Sequence, residues 1–285
     1  MLSMTSDYVG GVGNPEPALR LLTEHSFTHV HWCHQWNTDF LYGRAEIAQI
    51  QRWFRQYGLQ LTDLHASAGV EKQWLSAREY ERLAGVELVK NRIAMTAHLG
   101  ADAIVLHPDA EPGEPQARAM FWERLRRSLD ALEPFARARG VRVALENLWF
   151  DTFPTIEQIF ALYPPDFVGL CYDSGHGQLT GDGLDWLDRL KGRLVALHLH
   201  DNDGTDDQHK PLFTETVDWD RLARLIAASS YQKCVSMEVS KRESGFADTG
   251  EFLAAVFASG SRFARMVDHA RGGHGGTGAS TPAVP

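Results

Sequence analysis

The chain has 285 residues, of which 44% are hydrophobic and 23% charged, and a net charge of -9. That suits one large α/β domain or two small ones with a buried core. The acidic balance speaks against a polyanion as the main partner, since such partners usually meet a basic footprint. Cys33, Cys171 and Cys234 show no paired spacing, the start MLSMTSDYVGG lacks a basic segment followed by an apolar one, and no apolar run reaches membrane-spanning length. A reducing, cytoplasmic location without a membrane partner is the expectation.

Short β-type runs alternate with longer helical patterns, eight pairs in all. SDYVG near residue 6 leads to a helix opening around Pro15 to Pro17, where proline suits a first turn. THVHW (28–32) leads to a helix over about 44–57 that stops at Gly58, and LQLTDLH (59–65) to one over about 77–99 that stops at Gly100. AIVLH (103–107) leads to a helix over about 116–139 that stops at Gly140; glycine just past the last turn is a common stop signal. VRVALE (141–146) precedes a shorter helix from Thr155, and FVGLCYD (167–173) one near 183–190. RLVALHLH (193–200) precedes a helix near 218–229 opened by Asp218, and CVSMEV (234–239) one near 250–268.

Alternation of this kind means parallel strands joined by right-handed crossovers. Eight such units, with no G-x-G-x-x-G after a strand, point to an α/β fold, a closed (β/α)8 TIM barrel over residues 1–270, rather than an open doubly wound sheet. The end of the chain, GGHGGTGASTPAVP, is low in complexity, so 271–285 reads as a disordered Gly-rich tail.

A barrel of this kind carries its chemistry where the strands end. His65, His107, Glu146, Asp173, His198 or His200, and Glu238 end six consecutive strands. Carboxylates and imidazoles on stiff supports are what a divalent ion needs, and buried carboxylates are costly without a cation. Glu146, Asp173, His198 and Glu238 are therefore expected to form one metal site. Alternation agrees, placing Ala144, Cys171, Ala196 and Ser236 inward beneath them and Val143 and Leu145 outward. His200 points the same way as His198 and is a substrate contact or the true ligand; His198 is preferred because it sits deeper.

His176, in D-S-G-H, is a second ligand or orients the first. Asp207 and His209, spaced D-x-H in a polar loop, are further candidate ligands or part of a solvated turn. His65 and His107 either ligate metal or hydrogen-bond a substrate hydroxyl. Trp32, Trp36 and Trp149 fall at or beyond strand ends, where rings either stack on a sugar and exclude water or pack the loops.

ALEN at 144–147, CYDSGH at 171–176, HLHD at 198–201 and MEV at 237–239 resemble the xylose isomerase-like TIM-barrel superfamily, across roughly residues 5–268. That superfamily includes sugar isomerases and epimerases, inosose dehydratases and the endonuclease IV group. The resemblance implies one divalent ion (Mn, Zn, Mg or Co) held by Glu146, Asp173, His198 and Glu238, with the two glutamates trading protons with substrate. The endonuclease IV branch implies up to three ions on nine ligands, which His65, His107, Glu146, Asp173, His176, His198, Asp207, His209 and Glu238 match position by position. Ala-Ser-Ala after His65, MEVS in place of Glu-Thr-Pro, and strand-end loops without a basic cluster depart from the nuclease and speak against a DNA substrate.

The leading expectation is a metal-dependent isomerase or epimerase of a small-molecule sugar or keto-sugar. The ion would chelate a carbonyl and its neighbouring hydroxyl, and Glu146 and Glu238 would move the proton through an enediolate. His65, His107, His176, His200, Trp32 and Trp149 are the expected substrate contacts. Loss of a β-hydroxyl at the same residues would give a dehydratase or lyase, and two or three zinc ions a hydrolase of phosphodiester or glycosidic bonds. A homo-oligomer is common among soluble enzymes.

Overall fold

Side-chain alternation decides where the barrel begins. In LSMT the apolar Leu2 and Met4 join the main core, while Thr5 lines the cavity at the barrel mouth. The first strand is therefore β1, Leu2–Thr5, and the expected SDYVG strand is the turn that follows it. The structure is a computed structural model, and it describes residues 1–10, 13–66, 68–242 and 244–273.

From there strand and helix alternate: α1 (Glu16–Glu24), β2 (His29–Trp32), α2 (Arg44–Tyr57), β3 (Gln60–His65), α3 (Glu79–Leu99), β4 (Ala103–Leu106) and α4 (Pro115–Arg137). The second half follows with β5 (Arg142–Glu146), α5 (Phe153–Leu162), β6 (Val168–Asp173), α6 (Ser174–Thr180), α7 (Gly183–Leu190), β7 (Leu194–His198), α8 (Trp219–Ala227), β8 (Val235–Met237) and α9 (Thr249–Gly273). Gly58 and Gly100 stop their helices at φ 65° and 87°, as the sequence implied. α5 opens at Phe153, two residues before Thr155, with Pro154 in its first turn.

The strands form one parallel sheet in the order β7-β6-β5-β4-β3-β2-β1-β8. A parallel bridge between Leu199 and Met237 joins its two edges, with Leu199 N–H donating to Ser236 O (3.1 Å) and Glu238 N–H to Leu199 O (3.0 Å). The ring is a single (β/α)8 TIM barrel. Its main core, including Val143 and Leu145, lies between strands and helices. Val105, Ala144, Cys171, Val195 and Ala196 cluster separately, and Ser236 is also buried. Small interior side chains leave space at the mouth for larger polar ones.

Helix α6, which the sequence reading did not contain, starts immediately at the end of β6. Asp173 caps it, accepting from His176 N–H at 2.7 Å. Its glycines let it pack close: a Cβ on Gly175 would stand 1.9 Å from His200 Cε1, and one on Gly177 2.4 Å from the Tyr172 hydroxyl. At the other end of the chain α9 continues to Gly273, and residues 274–285 of the expected tail lie outside the described residues. Among the described residues no helix is long and apolar enough to cross a membrane.

The loop after β7 is held by one buried carboxylate. Asp201 accepts from the backbone N–H of Asn202, Glu215 and Val217 and from Trp219 Nε1–H, at 3.0, 3.0, 3.1 and 3.0 Å. The loop it organises carries Asp207 and His209. Removing the acceptor strands four donors, so Asp201→Ala should destabilise the protein by about 3 kcal/mol. Urea unfolding measures this, and a loss below about 0.5 kcal/mol would contradict it.

Candidate metal centre

Glu146 ends β5, His198 ends β7 and Glu238 follows β8, so all three point into the mouth of the barrel. His198 Nδ1 lies 3.1 Å from Glu146 Oε2 and 2.7 Å from Glu238 Oε2, with the imidazole wholly buried. Close as they are, neither His198 nitrogen makes an aligned hydrogen bond among the described residues. Two carboxylate oxygens and a nitrogen thus converge without satisfying one another, as donors around a cation do. Burial alone would lift the Glu146 carboxyl, but the His198 and His107 imidazoles outweigh it and hold it well below the usual carboxylate range. For Glu238 burial is likewise outweighed, chiefly by His198. Both are ionised near neutral pH.

Asp173 takes different neighbours from the expected quartet. Its carboxylate caps α6 and lies 3.1 Å from His200 Nε2 and 3.6 Å from His176 Nδ1. Asp173 N–H donates to Asn147 Oδ1 (2.9 Å) and Asn147 Nδ2–H returns to Asp173 O (3.0 Å), clamping the ends of β5 and β6 together. His198 and His200 both point inward, as alternation required, but they serve different clusters. His200 lies 3.6 Å from Asp207 Oδ1 and stacks on His209 with ring centroids 4.0 Å apart.

His65 and His107 flank Glu146, at 3.6 and 3.2 Å from its Oε2. Asp207 Oδ2 lies between His176 Nε2 (3.4 Å) and His209 Nε2 (3.0 Å). Several sets of side chains could hold an ion, among them His31 with His198 and Glu238, His65 with His107 and Glu146, Asp173 with His176 and His200, and His200 with Asp207 and His209. In each set the ligand atoms lie within 4.8 Å of one another.

Three of these histidines share one device. Nδ1–H of His65 donates to Ala66 O (3.0 Å), that of His176 to Asn147 O (2.9 Å) and that of His209 to Glu238 O (2.7 Å). A carbonyl on Nδ1 fixes the tautomer and leaves Nε2 free to ligate, the arrangement of metal-bound histidines. His209 keeps this pose at φ 47°, a backbone region uncommon outside glycine. Burial and then the neighbouring His107 lower the pKa of His65 to about 3. Burial would also lower His176, but Asp173 and Asp207 raise it to about 9; Asp207 and Glu238 likewise carry His209 to about 10.

A cavity of about 270 Å³ opens over these groups. Trp149, 53% exposed, stands 5.2 Å from the His176 ring, and Trp36 lies 4.5 Å from His65 and 5.5 Å from His107. Trp32 is not among the lining residues: it is buried, donates to Tyr42 Oη at 3.1 Å and packs on Phe54. Strand parity explains this correction, because inward His31 leaves Trp32 facing the helices. A larger cavity, about 480 Å³, lies at the opposite mouth by the Lys233–Asp102 ion pair, away from the clusters above. The sequence reading missed the buried His31, Asp63 and Cys33, of which Cys33 Sγ lies 3.9 Å from Glu238 Oε1. The available signal was a charged residue, Asp63, in the middle of an otherwise regular strand.

Residues 19–256 match the family described as xylose isomerase-like TIM barrel. Among curated relatives, an uncharacterized protein, y4fM, of Sinorhizobium fredii is 35% identical over 247 residues, 78% of this chain and 79% of that protein. An inosose dehydratase of Lacticaseibacillus casei is 27% identical over 172 residues, so the match spans 53% of this chain and 56% of the dehydratase. The solved structure of an L-ribulose 3-epimerase superposes with a TM-score of 0.77 at 15% identity, covering 99% of both chains. That likeness is one of fold.

In the metal-free protein His176 and His209 carry protons near neutral pH. Their pKa values lie above the ordinary 6.5, so these ion pairs stabilise the metal-free fold fully below about pH 6.5, and that stability is lost as pH rises through about 9 and 10. A ligating imidazole must give its proton up. A single zinc ion at His198, whose carboxylate neighbours also keep it protonated against its burial, should therefore release about one proton per chain, and zinc that also takes His176 and His209 about three. Calorimetry in buffers of different ionisation enthalpy reads this directly; release of no more than one proton would contradict the ligand roles of His176 and His209, and uptake of zinc without proton release would contradict that of His198.

Proposed function

This chain belongs to the xylose isomerase-like TIM barrel family, and on that premise we propose that it is a divalent-metal-dependent isomerase or epimerase of a sugar or keto-sugar. The observation that carries the reading is the convergence of Glu146 and Glu238 on His198 Nδ1. Glu146, His198 and Glu238 are the residues that would hold the ion. Bound there, a divalent cation supplies Lewis acidity toward a carbonyl and its neighbouring hydroxyl.

The chain's own residues do the rest. Glu146 and Glu238 come from different strands and are both ionised, so one takes the proton of a carbon seated between them and, now protonated, returns it to the neighbouring carbon of the enediolate; return to the opposite face requires the other carboxylate first to take up a proton from solvent. His65, uncharged near neutral pH, and His107 present ring nitrogens to substrate hydroxyls. Trp36 and Trp149 restrict the mouth and keep water from the reacting carbon. The names of the epimerase and dehydratase relatives support a polyhydroxylated carbonyl compound as substrate. Loss of a β-hydroxyl after the first proton transfer would make the enzyme a dehydratase.

A second reading, a hydrolase with up to three ions, is favoured by the additional ligand sets and their carbonyl-anchored histidines. Elemental analysis divides the two: about one ion per chain supports the isomerase, and about three the hydrolase.

Incubated with metal in deuterated water, the protein should exchange the α-proton of at least one keto-sugar. Glu146→Gln and Glu238→Gln should each slow that exchange roughly 10²- to 10⁴-fold. Absence of exchange across a broad keto-sugar panel would overturn the reading.

A further inference from the structure

Helix α3 buries an arginine that takes no part in the proposed reaction. Arg92 is 1% exposed, and burial lowers its pKa only to about 10, so it keeps its charge near neutral pH. Among the described residues its partners include no carboxylate. Nη2–H donates to the backbone carbonyls of Gln35 (3.3 Å) and Phe40 (2.9 Å), Nη1–H donates to Asn91 Oδ1 (3.0 Å), and the guanidinium lies 4.5 Å from the centre of the Tyr42 ring. Asn91 adds two bonds: Tyr42 N–H donates to its Oδ1 (2.9 Å), and its Nδ2–H donates to Tyr42 O (2.8 Å). Neighbouring residues of α3 thus grip the segment between β2 and α2 at positions 35, 40 and 42.

A charge without a carboxylate partner is costly to bury, and an apolar side chain of similar length would fill the same space without that cost. What an apolar side chain cannot do is hold the carbonyls of Gln35 and Phe40 at once, as the planar guanidinium fork does. Those two carbonyls bracket Trp36, which lines the cavity with its ring 4.5 Å from His65 and 5.5 Å from His107. Gln35, just before it, stands at φ 63°, a conformation that persists only where the surroundings enforce it.

We propose that Arg92 is a positioning residue for Trp36. By holding the carbonyls on both sides of Trp36, it fixes the indole beside His65 and His107 and so sets the width of the opening that substrate passes. The inference rests on the reading of this cavity as a sugar site in which Trp36 touches substrate.

Fluorine NMR of the full chain carrying 5-fluorotryptophan, free of metal, reads the placement of Trp36 without reference to turnover. Trp36→Phe assigns its line among those of the eight tryptophans. In Arg92→Met that line should broaden or move, while those of Trp186 and Trp219, on α7 and α8, stay in place. Should Arg92→Met not fold, Asn91→Ala, at a half-buried position, frees Tyr42 and one arm of the guanidinium and should shift the same line. In turnover, Arg92→Met should raise KM roughly tenfold with little change in kcat, Arg92→Lys should recover part of the loss, and Arg92→Met should add nothing to Trp36→Ala. An unmoved Trp36 line in the folded variant overturns the proposal, as does a rise in KM that adds in full to that of Trp36→Ala. A wild-type protein that turns over no sugar, while the line does move, would sink the functional reading and leave the hold of Arg92 on Trp36 standing.

Discussion

Two carboxylates, those of Glu146 and Glu238, are held beside a single buried imidazole nitrogen, and neither makes an aligned bond to it. Charges of like sign confined this way repel each other, and burial deprives both of water. The arrangement requires positive charge between them, from the His198 proton or from a divalent ion. Much of the surrounding structure serves to place and keep that cluster. The strand register pairs Glu146 with Cys171 and Asp173 with His198, and the small side chains of Ala144, Cys171 and Ala196 make room for the polar ones.

The second half of the site depends on two local devices that tie loops to this centre. Asp201 gathers four donors from the segment after β7, and so presents Asp207 and His209 over the mouth. Gly175 and Gly177 let α6 settle against His200 and Tyr172, which brings His176 to the opposite side of Asp207. Rigid supports of this kind matter because ligand and proton-transfer geometry tolerate errors of only a few tenths of an ångström. They also explain why carbonyl groups, rather than solvent, hold the Nδ1 side of three histidines.

The alternation of strands and helices was legible because period-2 and period-3.6 patterns are local, and Gly58 and Gly100 marked real helix ends. Strand parity also predicted the inward faces of Glu146, Asp173, His198 and Glu238. Parity was not applied to Trp32, and its assignment to the pocket failed for that reason. The first strand was misplaced because LSMT is short and polar on its inner face. Helix α6 was hidden because two glycines in seven residues argue against a helix, whereas packing against His200 demands them. The partners of Asp173 follow from that helix, so they were not readable either. His31 and Asp63 are thirty-two residues apart in sequence, and only the pairing of β2 with β3 brings them together.

Anomalous diffraction from crystals of the zinc-loaded protein tests the central claim most directly. The account predicts an anomalous peak at about 2.0–2.2 Å from His198 Nδ1 and from a carboxylate oxygen of both Glu146 and Glu238. A map with no peak between those three side chains, or with zinc bound only elsewhere on the protein, would contradict it.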